Sequence, residues 1–285
     1  MLFECTAELD YSVRFNSAMI LSVHVQRNAA QTIVAERFTI EPRIPASEFA
    51  DEMGNRFVRL ETGSHKQLSL RYSATVDCEF EVRPAANIAP TPVAALEDAT
   101  IPFLFASRYC QSDRLGRLAR DLFGSIDRPH DKVLAIADWI HDNVEYLRGS
   151  TDSGTSAYDT VTQRVGVCRD FAHLGIALCR ALNIPARYFT GYAYELDPPD
   201  FHACFECYIG GRWMVFDATR LAHLNGLVRI ATGRDAADTA VASVFGSVTC
   251  THMRVGCTPA DGQTFIPIPR RQLVRRGVTL PTGTD

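Results

Sequence analysis

Three side chains in the second half of the chain have the types and order that thiol chemistry needs: Cys168, His202 and Asp217. Cys168 stands in Gly166-Val-Cys-Arg-Asp-Phe-Ala-His-Leu. From Phe171 onward, Leu174, Gly175, Leu178, Cys179 and Leu182 recur at three- and four-residue intervals, which predicts a helix from about Cys168 to Leu182 with a buried face. Cys168 falls in its first turn, where unpaired backbone N–H groups and the positive end of the helix dipole favour a thiolate. A helix buried against a sheet also holds its first residue rigidly, as a nucleophile requires. The bland alternative is a small hydrophobe packed in the core.

His202 and Asp217 belong to a second segment, Phe201-His-Ala-Cys-Phe-Glu-Cys-Tyr-Ile-Gly-Gly-Arg-Trp-Met-Val-Phe-Asp217. Gly210-Gly211 between two apolar runs predicts a two-residue hairpin turn. That turn pairs Ile209 with Arg212, Cys207 with Met214, Cys204 with Asp217 and His202 with Thr219. Asp217 is then the diagonal neighbour of His202 on one side of the sheet, close enough for imidazole and carboxylate to meet. Taken singly, His202 reads as a satisfied or surface histidine and Asp217 as a strand-end aspartate. Taken with Cys168, they supply nucleophile, general base and orienting carboxylate for acyl transfer. The backbone N–H of Cys168 is one candidate oxyanion donor, and Gln163, a little upstream, is a candidate for the second.

The elements around these residues divide the chain near residue 84. Residues 1–83 alternate apolar with polar, as in Ile20–Val25 and Leu68–Tyr72, with turns at Gly54-Asn55 and Gly63-Ser64, and read as a small all-β sandwich. Residues 84–102, with Pro84, Pro90, Pro92 and Pro102, read as a semi-extended linker. Helical periodicity follows: Ser112 to Gly124, then a helix opened by Pro129 with Val133, Ile136, Ala137, Ile140 and Val144 on one face. Beyond Pro185 come strands at Ala186–Glu195, His202–Ile209, Arg212–Asp217 and Leu227–Ala231. Residues 103–260 therefore form an α+β unit, helices first and antiparallel strands after, and residues 261–285 a tail whose last few positions are expected to be loose.

Composition narrows the function classes. The 285 residues are 46% hydrophobic and 22% charged, an ordinary globular balance. Lys and Arg total 29 against 33 Asp and Glu, a net charge of -4, so nothing marks nucleic acid as a partner. Glu4 and Glu8 near the start and the lack of a long apolar run argue against a secretory signal or a membrane span, and the expected compartment is the cytoplasm. Nine cysteines, an odd number in a long chain, argue against a disulfide framework.

The motifs also resemble a family. Gly166–Leu174, Asn183-Ile-Pro-Ala-Arg followed by Gly191-Tyr192, His202-Ala, and Trp213-Met-Val-Phe-Asp-Ala-Thr219 look like blocks of the bacterial transglutaminase-like proteins, and Ile230–Asp238 resembles a segment of that branch. The resemblance covers about residues 130–255, and residues 1–83 look like the β-rich domain that often precedes it. It implies a papain-like core of helices packed on an antiparallel sheet. Cys168 would be nucleophile, His202 base and acid, and Asp217 the orienting carboxylate. It implies a cysteine peptidase, amidase or acyltransferase acting on protein or peptide substrates, with no cofactor and no metal.

In one respect the chain departs from that pattern: Cys204 stands where the family usually has Trp. Cys204 is either a packed sheet residue or a thiol that could resolve an oxidised Cys168 as a disulfide. Two other readings compete. Cys204-x-x-Cys207 with Cys250, His252 and Cys257 holds enough soft ligands for zinc, although an odd offset within a strand sends the first two thiols to opposite faces. A catalytically silent scaffold of papain-like shape, serving to bind a partner, is the other. No loop has the alternating carboxylates of a calcium site.

Overall fold

Phe3, Cys5, Ala7, Leu9, Tyr11 and Val13 are buried while the residues between them face outward, so the chain opens on a half-buried strand, β1 (Leu2–Val13). A computed structural model describes residues 1–281. β2 (Ala18–Leu21), β3 (Gln31–Glu41), β4 (Ala46–Ala50), β5 (Arg56–Glu61), β6 (Gln67–Cys78) and β7 (Glu81–Pro84) follow. Then come α1 (Ser112–Phe123), α2 (Pro129–Asn143), β8 (Glu145–Tyr146), α3 (Ala157–Gln163), β9 (Val165–Gly166) and α4 (Cys168–Ala181). The chain ends with β10 (Ala186–Ala193), β11 (His202–Ile209), β12 (Arg212–Phe216), β13 (Leu227–Gly233), β14 (Ala242–Phe245), β15 (Val248–Pro259), α5 (Arg270–Leu273) and β16 (Arg276–Thr279).

Two four-stranded antiparallel sheets, ordered β15-β1-β6-β3 and β14-β2-β5-β4, carry the apolar core of the N-terminal region. Both borrow a strand from far along the sequence. Residues 242–259, which sequence placed with the helices and strands of the 103–260 unit, instead pair with β1 and β2. Along β15 only the alternate residues Val255 and Cys257, near its end, are buried. It needs the exposed edge of β1, and only the tertiary arrangement offers it. The tail is also engaged: β16 pairs with β7, Val278 and Leu280 are buried, and the Leu280 carbonyl accepts from Arg229. The expected loose end falls on residues 282–285, outside the described residues.

The third sheet, ordered β12-β11-β10-β13, is antiparallel throughout and buried along β10, β11 and β13. α4 packs against β11 and β10, and α1, α2 and α3 pack on α4. The close approach depends on Gly175. A Cβ there would meet the Phe205 ring at 2.5 Å, so a glycine lets the helix sit directly on β11. Four residues on, the sulfurs of Cys179 and Cys207 touch at 3.5 Å across the same interface. Gly210 and Gly211 both have positive φ, 61° and 74°, which closes the tight β11–β12 hairpin in the expected register: Ile209 opposite Arg212, Cys207 opposite Met214. The mixed α+β architecture expected from the pattern of elements is the one observed.

The opposite face of this sheet holds a buried ionic cluster. Glu206 accepts from Arg187 at 2.7 Å and from both terminal nitrogens of Arg229 at 2.8 and 2.7 Å. Burial favours the neutral acid, but the two guanidinium groups overcome it and hold Glu206 down at about 2. The Arg229 backbone also exchanges hydrogen bonds with the N-terminal region through Gln26 and Gln31, which ties the sheet to the sandwich.

Candidate active site

Cys168 is the first residue of α4. Asp170, fully buried, accepts from the Val167 N–H at 2.9 Å and from the Thr151 hydroxyl at 2.8 Å, anchoring the helix start to the preceding loop. The parallel pair β8–β9 runs beside it, with Tyr146 opposite Gly166. The backbone N–H of Cys168 donates to the phenol oxygen of Tyr146, whose ring packs on Phe171. Burial and the neighbouring Cys168 push the Tyr146 phenol up to about 12, so it keeps its proton.

His202 opens β11 with its imidazole 1% exposed. Its Nε2 lies 3.0 Å from Asp217 Oδ2, and its ring also hydrogen-bonds Cys168. Burial alone would favour the neutral ring. The charge and hydrogen bond of Asp217, followed by those of Cys168, reverse this and push His202 up to about 10. Asp217 lies just past β12, where the ladder has ended at Phe205–Phe216, so the expected pairings of Cys204 with Asp217 and His202 with Thr219 do not form as a ladder. The carboxylate reaches the histidine through a turn. Its Oδ1 accepts from the Thr219 N–H at 2.9 Å and hydroxyl at 2.7 Å, and its Oδ2 from the Ala222 N–H at 3.0 Å. Burial raises its pKa, but His202 and these donors more than offset that and lower it.

Cys168 and His202 line a cleft of about 630 Å³ that opens to solvent. Its lining comes from two stretches of chain among others, one with Tyr146, Arg148, Thr151 and Arg169, a second with Ala236, Thr239 and the run Ala240–Ala242. His173, one turn into α4, secures this second stretch. Its Nε2 accepts from the Ala236 N–H at 3.1 Å, and its ring stacks between Tyr109 and Tyr188. Burial and nearby arginines hold its pKa well below the ordinary value, so it accepts as a neutral ring. Asp235 adds a bond from the Tyr109 N–H at 2.9 Å.

The structure thus brings Cys168, His202 and Asp217 into one chain of contacts. It does not bring Gln163, which is exposed at the end of α3 and outside the cleft lining. Nearness in sequence does not carry over because α3 is capped by Arg164 in a left-handed conformation that turns the chain before β9. Tyr146 was missed because a two-residue parallel strand has no periodicity to read. Its only sequence signal was a tyrosine shortly after an amphipathic helix.

Cys204 is 1% exposed among Phe189, Leu196, Val215 and Leu227, and burial pushes its thiol up strongly. Close sulfur contacts join Cys179 with Cys207 at 3.5 Å and Cys5 with Cys257 at 3.8 Å, not Cys168 with Cys204. Cys204 and Cys207 lie in different apolar clusters on opposite faces of β11, which separates the ligands that a zinc site would need. Among the described residues no group of three or more His, Cys, Asp or Glu is placed to hold a metal, and no helix is long and apolar enough to cross a membrane.

Comparison with known proteins finds likenesses to both the N-terminal region and the helix-and-sheet unit. Residues 116–218 match the transglutaminase-like superfamily, and residues 1–98 match the N-terminal domain of bacterial transglutaminase. A crystal structure from Cytophaga hutchinsonii, described as a candidate cysteine protease, is 52% identical and superposes with a TM-score of 0.96 over 99% of this chain and 98% of that one. An uncharacterized Mycobacterium leprae protein is 24% identical over 79% of this chain and 84% of its own length. An uncharacterized protein of Mycobacterium tuberculosis is 31% identical over 59% of this chain and 57% of its own. By these matches, and by the helix and sheet that carry its cysteine, histidine and aspartate, the chain belongs to the transglutaminase-like superfamily.

Proposed function

We propose that the chain is a thiol-dependent acyl-transfer enzyme acting on amide bonds of proteins or peptides, and that it works chiefly as a cysteine peptidase or amidase. The observation that carries this reading is the position of His202, buried between a carboxylate at 3.0 Å and the thiol at the start of α4, on the wall of an open cleft.

The Cys168 sulfur attacks the substrate carbonyl while its proton resides on His202, where Asp217 stabilises the imidazolium. The carbonyl oxygen takes up negative charge and displaces the phenol from the Cys168 N–H. It then has two donors, that N–H and the Tyr146 O–H. His202 returns the proton to the departing amine, leaving a thioester on Cys168. Water reaches the thioester through the open cleft, with His202 now acting as base, and the acid product leaves. Arg169 and Asp170 touch no reacting atom. They hold the loop and helix start in place.

Mass spectrometry of the protein incubated with a peptide library and quenched in acid tests the proposal. An adduct of acyl mass on Cys168, absent in Cys168→Ala, is the expected result. Labelling spread over several cysteines, or no adduct with any peptide, would overturn it. Adding a primary amine during turnover measures how much acyl group goes to amine instead of water.

A further inference from the structure

The lining of the Cys168 cleft includes a continuous run of chain. Ala240, Val241 and Ala242 follow one another along it, and Ala242 begins β14, the terminal strand of its sheet. β14 is paired on one side only, with Ala242 opposite Leu21 and Val244 opposite Met19 of β2. The Ser22 N–H donates to the Val241 carbonyl at 2.9 Å, so in an antiparallel ladder the next pair, Leu21–Ala242, does not exchange hydrogen bonds, and neither does Met19–Val244. The other side of β2 agrees. The Thr62 N–H donates to the Ser17 carbonyl, so Met19 and Leu21 direct their backbone groups to Leu60 and Val58 of β5.

The N–H and C=O of Ala242 and Val244 therefore point to the open edge, where no other strand pairs among the described residues. Such an edge is a template for another strand. Ala242–Phe245 carries no charge, and Val244 and Phe245 are 37% and 63% exposed. The edge begins inside the cleft that holds the nucleophile.

From this continuity we infer that β14 is the docking strand for a polypeptide substrate: an extended chain with its scissile carbonyl at Cys168 adds to the open edge at Ala242 and Val244 as a fifth strand. Main-chain hydrogen bonds supply the affinity, and alternate apolar side chains pack beside Val244. The inference rests on the acyl-transfer reading and deepens it. The substrate is an extended or unfolded polypeptide segment, and the N-terminal sandwich is part of its binding site.

Two substrates separate this inference from the catalytic one. p-Nitrophenyl acetate asks only for the thiol, whereas unfolded β-casein also needs the edge. Ala242→Pro removes one outward N–H without disturbing a bond to β2, and Ala242→Ser keeps that N–H. The KM for casein, relative to the ester, is expected to rise about three- to tenfold in the proline variant, the loss of one main-chain bond, and much less in the serine variant. Hydrogen exchange on Cys168→Ala reads the same contact without turnover, and casein is expected to slow exchange at Ala242 and Val244. If casein KM in the proline variant follows the serine variant, and casein leaves those amides exchanging freely, edge docking is overturned even with the ester turned over. If the wild type turns over neither substrate, the catalytic reading fails, and the exchange measurement decides the edge alone.

Discussion

His202 Nε2 sits 3.0 Å from Asp217 Oδ2, with 1% of the imidazole and 2% of the carboxylate exposed. A charged pair this dry survives only because its remaining hydrogen-bonding capacity is filled, here by Thr219 and Ala222 on one side and Cys168 on the other. Asp217→Asn keeps the shape and removes the charge. The expected loss in kcat is about 10²–10⁴-fold, measured on any substrate that forms the acyl-enzyme, with KM far less affected.

The same pair sets a pH dependence. Because the pKa of His202 is raised, its ionic bond stabilises the fold fully below the unfolded-state value near 6.5, and this is lost as pH climbs through about 10. The alkaline limb of kcat/KM is expected in that high range for the wild type and displaced toward neutrality in Asp217→Asn. A pH profile of both proteins with an unmoved alkaline limb would refute the assignment.

Tyr146→Phe deletes one O–H beside the Cys168 N–H and little else. About 10²–10³-fold should be lost from kcat, the usual cost of one oxyanion donor, while alkylation of Cys168 by iodoacetamide proceeds as before. An effect confined to KM would assign Tyr146 to substrate binding instead.

Gly175→Ala tests the helix–sheet contact behind the nucleophile. The new methyl would meet the Phe205 ring at 2.5–2.9 Å, so α4 must lift from β11. A loss of about 1–3 kcal/mol in urea unfolding is expected, with kcat reduced as well because Cys168 rides on the same helix.

Glu206→Gln leaves the guanidinium groups of Arg187 and Arg229 facing a neutral amide in a buried site. Removing one member of such a cluster is expected to destabilise the protein by about 3–5 kcal/mol in urea, without any change in the pH profile of whatever activity remains.

How much of this was legible beforehand differs from element to element. The helix from Cys168 was readable because its buried positions repeat every three or four residues, and the β11–β12 hairpin because two glycines between apolar runs admit few other conformations. These two local patterns carry the nucleophile and the histidine. Gln163, named as an oxyanion donor from proximity in sequence, proved to be exposed, since nearness along a chain does not survive a left-handed turn such as that at Arg164.

The amino-acid sequence by itself determined the periodicities, the turn and the types of the three reactive side chains, because each depends on neighbours within a few positions. The tertiary structure alone decided that β14 and β15 return to the N-terminal sheets, that Tyr146 lies against the Cys168 N–H, and that Asp217 leaves its strand to reach His202. Those relationships join residues brought together only when sheets and helices bury their apolar faces against one another, and no local pattern encodes which edge or which face will be left to meet.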